Sequence, residues 1–272
     1  MNLAWRSYGN ASSVQPPVVL LHGLFGSAVQ WHHMALPLSA QRQVFTVDWP
    51  NHGRSPHVDR MDYPLMADAL RSLFDELHID RAHVVGHSMG GKAGMVFACQ
   101  FGQRVESLVV LDIAPVTYTD RFTPLVYAAL RLNLQQIQRR EDADIHLARH
   151  VRSGRLRAML LQNLARRDTS WVWRNHWAGI AASMKDLLAF PATLRSTPSV
   201  TPTLFVRGSA SGYLTAAHRP LVTAMFPASR HAEIADAGHW IHADQPAALL
   251  HLLQTWLQQQ AAQRSRMCCA AA

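Results

Sequence analysis

The sequence predicts an α/β fold: a mostly parallel central sheet flanked by helices, with a helical cap inserted into it. Three observations carry this. Apolar runs at Val18–Leu21, Ala82–Val85 and Ser107–Leu111 are short and rich in valine and leucine, as in strands buried on both faces. Between them, Tyr63–His78 places Leu65, Ala69, Leu73 and Leu77 on one face of an amphipathic helix. From Ala114 to Pro198 the strand signals stop and leucine-, glutamine- and arginine-rich helical segments take over. The predicted organisation is a core of residues 1–114 and 199–260, a helical cap of 115–198 and a disordered tail of 261–272, where the chain turns polar and then small.

A chain of 272 residues buries one large core more readily than two unrelated ones. Hydrophobic residues at 49% against 16% charged fit an ordinary folded globule, and no apolar run is long enough for a bilayer span. The opening Met1–Arg6 has no basic head followed by an apolar stretch, so a cytoplasmic protein is expected. Cys99, Cys268 and Cys269 do not read as a disulfide framework. The formal charge of +8 is partly regional, with arginine in excess between Arg121 and Arg174. These arginines recur at helical spacing without interleaved aromatic platforms. They read as solvated faces rather than a nucleic-acid surface, with coenzyme A phosphates or an acyl carrier protein as the alternative. The composition is compatible with a homo-oligomer.

In chain order, the Val18–Leu21 strand runs directly into His22-Gly23-Leu24-Phe25-Gly26. Gln43–Asp48 is the next strand, followed by a polar turn in which Asn51, Gly53 and Ser55 stabilise the bend. The Ala82–Val85 strand ends in Gly86-His87-Ser88-Met89-Gly90, with a helix predicted from Ala93 to Phe101. Glycine two residues either side of a serine, between a strand and a helix, is the mark of a sharp elbow that lifts the serine out of the sheet. Ser107–Asp112 closes another strand on an acid. In the insertion, Leu156-Met159-Leu160-Leu164 and Trp171-Trp173-Trp177 are spaced as apolar helix faces. Thr203–Val206 resumes the sheet, His231–Ile234 is its last strand, and Ala247–Leu257 is the closing helix.

These segments converge on acyl-transfer chemistry. A serine hydroxyl needs a base within hydrogen-bond reach and a carboxylate to orient that base. Ser88 is the candidate nucleophile, and His239, late in the chain on an Ala-Gly lead, the candidate base, with His242 its neighbouring competitor. Asp48 precedes the elbow and reads as structural. The Arg207–Tyr213 loop contains no acid, so Asp112 is the candidate triad member, because adjacent strand ends lie only about 5 Å apart. Asp236 and Asp244 read as turn and helix-start acids. Backbone N–H groups of Leu24, or of Phe25 as the near alternative, and of Met89 would form an oxyanion hole. His22, Phe25, His87, Ser211 and Trp240 are candidates for substrate contact or support, with Ser211 expected on the imidazole or on a water. No cofactor is expected, nor a metal: His146 and His150 have i, i+4 spacing without the glutamate of a HExxH motif. The expected substrate is a small-molecule ester of short to medium acyl chain, with an acyl thioester or a ligand held without turnover as the alternatives.

From residue 15 to residue 257 the chain resembles the α/β-hydrolase superfamily, and within it the YbfF-type esterases and the abhydrolase-domain-containing protein 11 group. The shared segments are His22–Gly26, Asn51-His52-Gly53, Gly86–Lys92, Asp112-Ile113-Ala114-Pro115, Leu188-Ala189-Phe190-Pro191 and Gly238–Ala243. The resemblance implies the α/β-hydrolase fold with a helical cap and hydrolysis of carboxylic esters or acyl thioesters through Ser88 and His239. It also implies an aspartate at position 112. The Gly208–Tyr213 loop departs from the Gly-Asn-Ser-x-Tyr or Phe pattern of that group.

Overall fold

The computed structural model describes residues 1–10 and 13–270, with side chains as far as residue 266. The elements run β1 (Trp5–Tyr8), β2 (Val18–Leu21), α1 (His32–Leu38), β3 (Val44–Val47), α2 (Tyr63–Glu76), β4 (Ala82–His87), α3 (Met89–Gln100) and β5 (Val105–Leu111). The insertion follows with α4 (Thr123–Leu130), α5 (Arg140–Ala148), α6 (Gly154–Leu161), β6 (Leu164–Arg167), β7 (Ser170–Trp173) and α7 (Trp177–Leu188). The chain then returns through β8 (Thr203–Gly208), α8 (Arg219–Met225), β9 (Ser229–Ile234), α9 (Ile241–Asp244) and α10 (Pro246–Ala270).

Among the described residues, seven strands form one sheet in the order β1-β3-β2-β4-β5-β8-β9. Every neighbouring pair is parallel except β1 with β3. Because side chains alternate across a strand, Val84 and Val110 face a layer with α2 and α3, while Val85, Val109 and Leu111 face α1 and α10. A third apolar cluster lies within the insertion, with Phe25 of the core at its base. No helix among the described residues is long and apolar enough to cross a membrane.

Four elements differ from the sequence reading. β1 was not foreseen, because three of its four residues are exposed at the sheet edge and give no apolar run. The insertion is not purely helical: β6 and β7 pair antiparallel, and Trp171 and Trp173 lie on β7 rather than on a helix face. Their i, i+2 spacing around Val172 is strand alternation, extended by chance to Trp177 at the start of α7. Residues 261–270 continue α10 instead of forming a disordered tail, and 271–272 lie outside the described residues. Glutamine, alanine and arginine are good helix formers, and buried Leu253, Trp256, Leu257 and Gln260 anchor the preceding turns. Finally, α3 begins at Met89, directly after Ser88, rather than at Ala93.

That early start depends on two close backbone approaches. A Cβ at Gly86 would lie 2.3 Å from the Gly90 carbonyl oxygen, and one at Gly90 2.5 Å from that of Leu21. The opposing atoms are backbone, which no rotamer change relieves. Gly86→Ala is therefore expected to destabilise the protein by about 1–3 kcal/mol, as overpacking does, lowering Tm by roughly 3–10 °C in a calorimetric scan. An unchanged Tm would show that the elbow can open without cost.

Candidate active site

The predicted site residues all sit at the carboxyl ends of parallel strands, where open α/β sheets collect ligand chemistry. Ser88 follows β4 with φ 52° and ψ −117°, a strained conformation for a side-chain-bearing residue. Its N–H donates to Leu111 O at 3.0 Å, tying the elbow to β5. Asp112 follows β5, also at positive φ, and is fully buried. His239 lies beyond β9, its side chain 12% exposed.

The three side chains form one line. With the imidazole proton on Nδ1, His239 donates to Asp112 Oδ2 at 2.8 Å, and its Nε2 accepts from Ser88 Oγ at 3.0 Å. Asp112 Oδ1 accepts from the Gly208 N–H at 3.3 Å. Ser211 does not take the expected place at the imidazole: its hydroxyl donates to Asp112 Oδ2. The loop that lacks an acid thus supplies a serine to the acid one strand away. Tyr213 of the same loop stacks on His239, ring centroids 3.8 Å apart. His87 Nε2–H donates to the His239 carbonyl at 2.7 Å.

The competitors are placed elsewhere. His242 packs between Trp31 and His87, and burial pulls its pKa down to about 4. Asp48 accepts the Ala28 and Arg54 N–H groups at 2.6 and 3.0 Å. Asp244 accepts from Gly238 N–H and Arg155, and Asp236 is an exposed turn residue at φ 54°.

The loop after β2 is set by two buried histidines. His22 Nδ1–H donates to Gly23 O at 2.8 Å, leaving Nε2 to accept the Trp49 N–H at 3.0 Å. His52 Nδ1–H donates to Pro50 O at 2.9 Å, and its Nε2 accepts the Phe25 N–H at 3.2 Å. That bond removes Phe25 from the two candidate donors. Among the described residues the N–H groups of Leu24 and Met89 have no acceptor. His52 is a support that sequence reasoning left inside a shared motif; its signal was the Asn51-His52-Gly53 segment.

Two hollows meet at Leu24, and one of them is lined by Ser88. A narrow pocket of about 30 Å³ is lined by Leu24, Met89, Ile113, Phe122 and the aromatic faces of Tyr63, Tyr118 and Tyr213. It also contains Lys92, which the sequence reading quoted only as part of a motif. A wider groove of about 520 Å³ runs past Gly23, Leu24, His87 and Trp240 to Arg155 and Arg174 of the insertion. Arg155 lies over the Trp240 ring at 4.4 Å, and Arg140 over Trp171 at 5.5 Å. Aromatic platforms for these arginines do exist, supplied by segments distant in sequence.

The family model described as the alpha/beta hydrolase fold matches residues 16–246. The chain belongs to the α/β-hydrolase fold family. Among curated relatives it is 36% identical over 250 residues to a zebrafish (Danio rerio) protein named sn-1-specific diacylglycerol lipase ABHD11, covering 89% of this chain and 78% of that one. It is 34% identical to the Escherichia coli K12 protein named esterase YbfF, covering 89% and 92%. Among solved structures, one titled marine microorganism esterase superposes with a TM-score of 0.88 at 30% identity, covering 93% and 98%. This α/β-hydrolase fold member therefore shares its fold along nearly its whole length with proteins named for ester cleavage.

The buried histidines give the fold an acid limit. Burial is the main cause that lowers His22 to about pKa 4 and His52 to about 3, against about 6.5 when unfolded. Between those values the unfolded chain binds more protons, so their contribution is complete above about pH 6.5 and is lost as pH falls toward 4 for His22 and toward 3 for His52. Urea unfolding at pH 7 and pH 5 is expected to show a marked loss of stability at the lower pH. His52→Gln should show a shallower loss, by about one proton's worth of slope; identical slopes would remove His52 from this account.

Proposed function

We propose that this protein is a serine hydrolase, of carboxylesterase type, cleaving small esters of short to medium acyl chain through an acyl-enzyme. The observation that carries the reading is the Ser88–His239–Asp112 line at 3.0 and 2.8 Å, beside two backbone N–H groups with no acceptor among the described residues. His239 Nε2 takes the Ser88 hydroxyl proton as Oγ attacks the acyl carbon. Asp112 holds the imidazole in the required tautomer and stabilises the imidazolium. The Leu24 and Met89 N–H groups receive the oxyanion, Met89 with the added field of the α3 N-terminus. Collapse expels the alcohol, which takes the proton from His239. Water, deprotonated by the same nitrogen, then releases the acid and restores Ser88.

Ser211 and Tyr213 act through His239: one donates to the acid and the other packs against the ring. His87 fixes the His239 backbone, and His22 and His52 hold the loop that carries Leu24. The narrow pocket that Ser88 lines suits the first carbons of a short acyl chain, and the wider groove that shares Leu24 with it suits the leaving group. Arg155 and Arg174 at that groove support a second reading, an acyl thioester whose leaving thiol carries phosphates. Relatives named esterase and diacylglycerol lipase support ester cleavage in general. A free Cys99 fits a reducing compartment such as the cytoplasm.

A fluorophosphonate probe is expected to label the wild-type protein and not Ser88→Ala; labelling that persists in the variant would overturn the assignment of the nucleophile. Across a 4-nitrophenyl ester series, turnover should fall from acetate and butyrate toward laurate, with acyl-CoA substrates assayed beside them. Asp112→Asn should lower kcat by about 10⁴-fold, the scale of losing the correct tautomer. Ser211→Ala, which removes one hydrogen bond to a charged group, should cost about tenfold. Equal effects of the two, or full turnover by Asp112→Asn, would place the acid elsewhere.

A further inference from the structure

Lys92 is a side chain the proposed mechanism does not use. It stands four residues after Ser88, on the first turn of α3, and both residues line one pocket. It is 1% exposed and lines the pocket beside Ser88. Its Nζ donates to Leu188 O and Ala189 O, each at 2.8 Å, where α7 ends. The ammonium lies 4.9 Å from the Tyr118 ring centroid and 5.7 Å from that of Tyr63.

Two of three N–H donors are thus satisfied, and the carbonyls at the end of α7 and the two rings offset part of the charge, but no anion neutralises it. Among the described residues no carboxylate lies within 4.0 Å of Nζ, since no ion pair includes Lys92. Asp112 is committed to His239, Ser211 and the Gly208 N–H. The Tyr63 and Tyr118 hydroxyls donate to Leu187 O and Tyr213 O. An ammonium withdrawn from water without an anion is costly to keep. If Lys92 served only to tie α7 to the core, a neutral amide would make similar hydrogen bonds without that cost.

We infer that Lys92 makes the pocket beside Ser88 selective for acyl groups that end in a carboxylate, so that the preferred substrates are monoesters of short dicarboxylic acids. The inference rests on the serine-hydrolase reading and names its substrate class. Ser88 and Lys92 line the same narrow pocket, so a short acyl chain held on Ser88 carries its far end into the hollow that Lys92 borders. Water replaces the alcohol: the ester C–O bond breaks, the alcohol leaves with a proton from His239, and the dicarboxylate is released. The distal carboxylate keeps its charge throughout.

The test compares phenyl hemisuccinate with phenyl 4-methylpentanoate, whose isopropyl end has the carboxylate's shape without its charge. Wild-type enzyme is expected to favour the hemisuccinate by at least about tenfold in kcat/KM, the scale of one charged hydrogen bond, mainly through KM. In Lys92→Gln and Lys92→Met that ratio should fall by at least about tenfold; as a ratio, it is insensitive to a general loss of activity. A wild-type ratio near one, or a ratio unchanged in both variants, overturns the inference while leaving the hydrolase reading intact. No turnover of either ester, or of phenyl acetate, overturns both.

Should neither variant fold, the wild-type ratio is followed from about pH 7 to about pH 10. Burial lowers the Lys92 pKa to about 7, and a bound anion raises it again, so the preference should fade as pH rises. The titratable groups facing Lys92 are Tyr63 on α2 and the loop residues Tyr118 and Tyr213, and burial shifts all three toward the neutral form. A ratio that stays flat across this range overturns the inference.

Discussion

The site depends on the absence of side chains at Gly86 and Gly90, where β4, the start of α3 and the end of β2 meet backbone against backbone. Because nothing separates them, α3 begins on the residue after Ser88, and the serine is held at positive φ. Two consequences follow from that single steric condition. Ser88 projects from the end of the sheet toward His239. Met89, as the first residue of a helix, has an N–H that no intrahelical carbonyl can take. Nucleophile and one oxyanion donor are products of the same turn.

Around this turn the histidines divide into two kinds. His22, His52 and His87 are buried, and burial pulls each toward the neutral form, so each has one ring nitrogen to donate and one to accept. Their bonds go to backbone: Gly23, Trp49, Pro50, Phe25 and His239. His239 alone lines up with both a buried carboxylate and the serine. The neutral set holds the loops on either side of Ser88, so a proton can move in the middle without the frame changing charge.

The insertion is tied to the core by polar contacts as well as by its apolar cluster. Asn163 donates to Phe25 O, the Met61 N–H donates to Ser183 Oγ, and Tyr63 donates to Leu187 O. With Lys92 on Leu188 and Ala189, two core side chains place three hydrogen bonds where α7 ends. Tyr63, Lys92, Leu187 and Leu188 also wall the pocket beside Ser88. The contacts that hold the cap therefore set the pocket's size and its charge.

The sequence by itself determined what is local: buried strands from apolar runs, an amphipathic α2, and an elbow from glycines two residues either side of Ser88. It also offered Asp112 and His239, because strand ends in a parallel sheet converge whatever lies between them. It could not separate Leu24 from Phe25, since His52 decides that from 27 residues away. Nor could it show Ser211 on Asp112, or Lys92 on the carbonyls of α7, pairings across 99 and 96 residues. β7 was misread because aromatic residues two and four apart satisfy a strand and a helix alike, and only pairing with β6 chooses between them. Local pattern measures which face of an element is apolar. Which polar groups meet across separate elements is set by their packing, and only the tertiary structure decided it.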